Sequence, residues 1–456
     1  MVSGTSATLA YEQALDGTGE PREPGDPIRA ALTQRGLLDR SDFGFALLCA
    51  AFVAAFSLAL WLLWNGYQPL DNTFFGSDPK RVWANLQSSL SDFHRTPFHP
   101  LFASFCAVFE GLLHHSGLSV FALLTAGSLL YGALLGGLTY VAARLWNVSR
   151  PWALASVAIT CASGAFASWS AIIECHVWGG ITCLICLIGA RLLPPMGAAR
   201  MLCSAVLFVI AASMVFTNIL LWAFATCLTR PSDRFSIAGI MAIIKRNILP
   251  FLISLGLGLL LLYVMSLAQR AYFYPNTTLG EFLKFDHDYK YILQGRLKDT
   301  FQGLFAFGLF APLSVPGIYL AEVAGTLAAL GFLALGLRKA SASVWIMLFY
   351  LAGVLCFHSI YDRREAFIPA PNYMPTLSVL LAIAGCHLLK RSYLRYGAAL
   401  VVALAALFNH FEHMRLVRSI PADRKFLPAP APIDLPLSMA PDSPAGARGR
   451  FQLARF

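Results

Sequence analysis

Four stretches of this chain concentrate titratable side chains. Asp71, Asp78, Lys80, Arg81, His94, Arg95 and His99 fall within residues 65–117; Glu174 and His176 fall within 168–176. Arg270, Lys284, Asp286, His287, Asp288, Arg296 and Lys298 lie in 269–300, and His358, Asp362, Arg363, Arg364 and Glu365 in 358–365. Carboxylates interleaved with Lys and Arg suit one chemistry: a carboxylate takes a proton from a hydroxyl while cations hold a phosphate, and those cations stabilise the charge that develops as the phosphate departs. Asp78 stands immediately before Pro79, so it reads equally as a helix N-cap with Pro at the first helical position and as a catalytic acid. Glu174 reads as a second acid or as a carboxylate favoured by the dipole at a helix entrance. Asp71 and Asp78 could also share a divalent cation with His94 or Glu174, although their spacing fits no ligand motif. Asp286-His287-Asp288 resembles a ligand cluster but equally a solvated loop. Arg363 and Arg364 suit lipid headgroups as well as phosphate. Asn276 opens an Asn-Thr-Thr sequon, for which chance is the default explanation.

The elements that must position these residues are apolar. Of 456 residues, 57% are hydrophobic and 13% charged, where soluble domains carry about 25% charged. A water-soluble enzyme is thereby excluded. Mean hydropathy is +0.63, and the long apolar runs lack the alternation of barrel strands, so the expectation is an all-α polytopic membrane protein. The net charge of +10 comes mostly from Lys and Arg between apolar runs, which topology explains without nucleic acid. Most cysteines lie inside those runs and behave as small hydrophobes; even Cys183 and Cys186, a CxxC pair, read as core. Residues 1–42, polar and without the apolar core of a signal peptide, read as a disordered cytoplasmic tail.

The apolar runs are 43–64, 98–113, 119–142, 152–170, 172–190, 201–228, 248–268, 317–337, 343–360, 367–389 and 396–411. If all of them crossed, Arg144, Arg150, Arg191 and Arg200 would fall on the wrong side. The run 98–113 is short and two-faced: Phe98, Phe102, Phe105, Phe109 and Leu112 recur at helical spacing, opposite His99, Ala103, Cys106, Glu110 and His114. Such a helix lies in the interface with Glu110 toward water. Val82, Trp83, Leu86, Leu90 and Phe93 repeat the design, so 65–117 reads as an external loop with two juxtamembrane helices. The run 201–228 reads as a broken or re-entrant pair turning near Thr217 and Asn218. A transmembrane domain over 43–411 results, with a second external loop at 269–300 and a flexible, non-cytoplasmic tail over 412–456. The cytoplasmic N-terminus then puts the titratable groups on the outer face, periplasmic in a bacterial inner membrane.

This order of parts, with the Asp-bearing stretch 71–81, His94-Arg95-Thr96-Pro97-Phe98-His99-Pro100-Leu101, the stretch 140–146 and Ser170-Ala171-Ile172-Ile173-Glu174, resembles the GT-C class of membrane glycosyltransferases, which includes protein O-mannosyltransferases and the lipid A aminoarabinose transferase. The resemblance covers about residues 43–230 and rests on weak motifs. It implies a GT-C-like helical bundle and a polyprenyl-phosphate sugar as donor. It also implies a hydroxyl-bearing acceptor (glycan, lipid or protein), with Asp78, or failing that Asp71, as general base and Glu174 as second acid. The family's phosphate-binding Lys has no counterpart at Phe98-His99-Pro100-Leu101; Arg95 or Lys80 would replace it, with Arg81, His94, His99, His176, Arg296 and Arg363 completing the substrate site. No cofactor can be named from the sequence, and a divalent metal is left open. The rival reading is a secondary transporter, for which the broken 201–228 run is equally suited; a noncatalytic membrane scaffold is the third.

Overall fold

The first helix starts where the sequence supplies its own cap. In the computed structural model, which describes residues 38–70, 79–87, 100–193, 197–226, 237–273, 309, 319–338, 342–358 and 370–429, Asp39 accepts from the backbone N–H groups of Ser41 (2.9 Å) and Asp42 (3.0 Å), and Asp42 accepts from that of Asp39 (3.1 Å). This reciprocal box satisfies donors that a helix start leaves orphaned. The Ser41 hydroxyl also donates to Asp39 and holds its carboxyl below the usual carboxylate range.

From this cap α1 (Arg40–Leu63) runs antiparallel to α4 (Val120–Leu145). At one end, buried Asp42 accepts from Tyr140 Oη (2.9 Å), Arg144 Nε (2.9 Å) and Nη2 (3.0 Å), and Arg150 Nε (3.0 Å); Arg150 also pairs with Asp39. At the other end, Trp61 Nε1 donates to Thr125 Oγ1 (2.9 Å). Between them Gly132 and Gly136 let the two backbones touch: a Cβ on Gly136 would fall 2.5 Å from the Cys49 carbonyl, and one on Gly132 2.7 Å from that of Val53. Small residues four apart are how apolar helices gain dispersion contact where no hydrophobic force separates them from lipid.

That antiparallel pairing fixes everything between its partners. Residues 64 and 119 both lie at the end opposite Asp42, so α2 (Pro79–Gln87) and α3 (Pro100–His115) belong to a segment that leaves and re-enters the bundle on one side. The chain then returns through α5 (Arg150–Ala162) and α6 (Gly164–Trp169). The expected unbroken run 152–170 is interrupted because buried Ser163, in extended conformation, both donates to Thr160 O (2.7 Å) and caps Phe166 N (3.1 Å). Helix α7 (Cys175–Leu192) goes back to the Asp42 end, where Arg191 donates to Leu145 O (2.9 Å) and stacks over Trp146.

Helix α8 (Ala198–Met214) ends in a 3₁₀ turn at Phe216–Asn218, and α9 (Ile219–Thr226) doubles back along it, for Trp222 Nε1 donates to Ser204 O (2.7 Å) and its ring lies 4.8 Å from that of Phe208. The expected turn near Thr217 and Asn218 is therefore present. The buried Asn218 amide donates to Gly179 O (3.0 Å), Thr182 Oγ1 (3.1 Å) and Asn372 Oδ1 (2.9 Å), and Asn372 donates back to Asn218, which pairs the polar groups that the break would otherwise strand.

Helix α10 (Ile237–Phe273) is longer than the run 248–268; it holds Lys245, Arg246 and Arg270, so the loop expected from 269 starts no earlier than 274. Near its end Gln269 donates to Ser104 of α3 (2.9 Å). Four further helices follow among the described residues: α11 (Tyr319–Leu337), α12 (Ala342–His358), α13 (Ala370–Leu388) and α14 (Ser392–Ser419). Among the described residues, five helices are long and apolar enough to cross a membrane: Arg40–Leu63, Val120–Leu145, Cys175–Leu192, Ser392–Ser419 and, within α10, Ile244–Ala271. The protein is an all-α, membrane-embedded bundle.

The tail expected from 412 is, over 412–429, part of the fold. Glu412 neutralises Arg415 on its own helix (2.7 Å), His413 and Val417 are buried, and β2 (Lys425–Phe426) pairs antiparallel with β1 (Gln68–Pro69). Charge at 412–418 thus marks a self-paired helix end. Residues 430–456 lie outside the described residues, as does nearly all of the 1–42 tail.

Candidate functional site

Gln68, two residues after the positive-φ turn at Asn65 and Gly66 (φ 52° and 74°), is the anchor of the site. Its buried side chain bridges the link between α6 and α7: Nε2 donates to Ala171 O (3.0 Å) and Oε1 accepts from Ile173 N (2.9 Å). The next residue, Glu174, is the N-cap of α7 and is 5% exposed; its Oε1 accepts from Cys175 N (2.8 Å) and from Cys175 Sγ (3.1 Å). Glu174 thus stands at a helix entrance, as expected, with its carboxylate bonded to the first N–H of the eighteen-residue α7. Both bonds fall on Oε1. Among the described residues no Lys or Arg forms an ion pair with this carboxylate.

Glu174 lines a cavity of about 70 Å³. Val82 and Leu86 of α2, Phe102, Phe105 and Phe109 of α3, and Tyr131 and Trp178 make much of its wall. Phe102, Phe105 and Phe109 are spread along α3, so that helix lies across the cavity. The two-faced pattern is present with a shifted stripe: Phe102, Cys106 and Phe109 are buried, whereas Leu112 is exposed. Cys106, placed on the polar side by sequence, turns inward because the buried stripe follows 102, 106 and 109. On α2, Val82, Trp83 and Leu86 are buried as expected, and Trp83 meets Phe109 edge-on at 6.1 Å.

The structure thus brings Glu174, α2 and α3 together. Lys80 and Arg81 sit on the exposed side of α2 at the same end, and neither lines the cavity. His176 is half-buried one position into α7 beyond Cys175. Asp71, Asp78, His94, Arg95, His99, Arg296 and Arg363 lie outside the described residues, as do Leu90, Phe93, Asp286, His287, Asp288 and the Asn276 sequon. The divalent cation at Asp71 and Asp78 falls outside them too. Ligand atoms of Glu174, Cys175 and His176 lie within 4.8 Å of one another. The Cys175 thiol donates to Glu174 (3.1 Å), and a metal held by the trio would take the thiolate in place of that bond. Cys183 and Cys186 are buried free thiols, one beside Tyr350 Oη (3.5 Å) and the other beside Leu207 O (3.6 Å), which bears out their reading as core.

Two residues, one central to each end of the bundle, carry no periodic signal. Gln68 sits in a two-residue strand, and nothing in its neighbours announces a bridge to residues a hundred positions away. The buried Asp42 was legible only as the fourth residue of the box Asp39-Arg40-Ser41-Asp42. Comparison of the chain with protein-family models, with curated proteins and with solved structures finds no match.

Proposed function

We propose that this protein transfers a sugar from a polyprenyl-phosphate carrier to a hydroxyl acceptor, at the end of the bundle that carries Glu174. One observation carries the reading: a buried carboxylate, capped on one oxygen only, lines an apolar cavity that two short amphipathic helices cover from the same end of a membrane bundle. An acid on the rigid start of α7 is held where it can take a proton from, or orient, a bound hydroxyl. At roughly 10–15 Å³ per water-sized group, a volume of about 70 Å³ admits part of a sugar or a prenyl unit. The rest of the carrier then lies outside, toward lipid. Asp78, one residue before α2, is the proposed proton acceptor, and Lys80 and Arg81, at the same end, are among the cations available to phosphate.

Orientation follows from charge. Arg144, Arg150 and Arg191 gather at the Asp42 end, and the positive-inside rule assigns that end to the cytoplasm. The Glu174 end is then periplasmic in a bacterial inner membrane.

Secondary transport is favoured by one feature, the broken helix at Phe216–Asn218. Its two Asn amides are bonded to each other, to Gly179 and to Thr182, which suits a lock between helices better than a solute site. The test is transfer from a labelled polyprenyl-phosphate sugar by the protein in lipid nanodiscs. Glu174→Gln and Asp78→Asn should each lower turnover about a hundredfold without shifting thermal unfolding by more than a lost cap would. Wild-type turnover in both variants, or solute flux without transfer, would overturn the reading.

A further inference from the structure

The end of the chain bears on both walls of the cavity. Arg424 O accepts from Leu70 N (2.9 Å), and β2 pairs with β1 so that Phe426 stands opposite Gln68. Three residues on, the Ala429 carbonyl accepts from Trp83 Nε1 (3.2 Å) and from the Gln87 amide, both on α2. This segment is itself tied down: Lys425 Nζ donates to Val417 O (2.7 Å) and stands 5.7 Å over the Trp64 ring, against which His413 also packs. One six-residue strap, 424–429, therefore grips Gln68, whose side chain fixes Ala171 and Ile173, and grips the helix that supplies Val82 and Leu86.

We propose that Gln68 is the positioning residue for Glu174, and that the strap 424–429 sets the carboxylate and the α2 wall together. The physical ground is geometric. Gln68 bonds the backbone on both sides of Ile172, the Ile173 bond adjoins Glu174, and among the described residues the Glu174 carboxylate accepts only from the next residue, Cys175, through its N–H and its thiol. Without the Gln68 bridge the link 170–174 loses both of the bonds that tie it to β1, and the capping angle is no longer imposed. The importance of the carboxylate rests on the function proposed above; its placement does not, and the two are tested apart.

The experiment is amide hydrogen exchange on the full chain in nanodiscs, read at single residues. Gln68→Met keeps the side-chain volume and removes both bonds. Exchange at Ile173 should quicken, and exchange at Cys175, whose N–H reports the Glu174 cap, should quicken about fivefold, the equivalent of one lost N-cap bond. Amides in the middle of α4 should be unchanged. Phe426→Pro removes the backbone N–H opposite Gln68 and should quicken Ile173, Cys175 and the α2 amides together; it also carries the test if Gln68→Met does not fold. Quickening at Ile173 with Cys175 at its wild-type rate overturns the positioning role. Quickening of α2 alone in Phe426→Pro overturns the coupling. In the transfer assay, normal rates for both Glu174→Gln and Asp78→Asn would remove the functional reading and leave these exchange results to stand or fall alone.

Discussion

Single residues decide the two ends of this bundle. Asp42 faces two guanidinium groups and a phenol, and removing its charge would take the counter-ion from Arg144 and leave Arg150 with Asp39 alone. Asp42→Asn is expected to destabilise the protein by about 2–3 kcal/mol, somewhat less than for a fully dry pair because Arg150 reaches water; thermal unfolding in detergent measures it. A loss indistinguishable from zero would mean the cluster is solvated in the working protein. The charge here was half legible. Sequence shows the capping box, but Asp42 fell at the boundary of what reads as a polar tail, and only folding brings Arg144 and Arg150 to it. Glu174 was legible as an acid at a helix entrance because a polar turn precedes a long apolar run. Gln68 was not, because a lone Gln in a connecting segment has no period or partner type to betray it.

Elements follow the period of their apolar residues wherever that period is long. The helices α1, α4 and α7 fall close to their apolar runs. The short amphipathic helix α3 is also where periodicity placed it, though its stripe rotates so that Cys106 is buried and Leu112 exposed. Breaks are harder to see. Ser163 interrupts α5 with a side-chain bond that competes with the helix ladder, a contest that hydropathy does not register. The close approach of α1 and α4 is a matter of glycines, and it can be probed directly. Gly136→Leu forces a side chain into the Cys49 carbonyl and Val53, and should cost at least about 2 kcal/mol by overpacking. Gly44→Leu, on the same helix pair but with nothing within 4 Å of a new Cβ, should be nearly neutral. Equal melting of the two variants in detergent would refute the backbone contact.

At the scale of the whole molecule, the arrangement depends on α3 not crossing. Charge parity argues for it, because counting 98–113 as a span moves Arg144 and Arg150 away from the N-terminal arginines, whereas the Asp42 cluster binds both of those residues to the start of α1. The folded end at 412–429 was not legible, since its anchors, His413 against Trp64 and β2 against β1, pair residues more than three hundred positions apart. The most direct measurement is side-specific labelling with a membrane-impermeant maleimide, in sealed vesicles of known orientation, against a background lacking the native cysteines. The account predicts that His115→Cys, at the end of α3, and Lys80→Cys, on α2, label from one side, and that Ala199→Cys, at the start of α8, labels only from the other. Labelling of positions 115 and 80 from opposite sides, or of 115 and 199 from the same side, would contradict it.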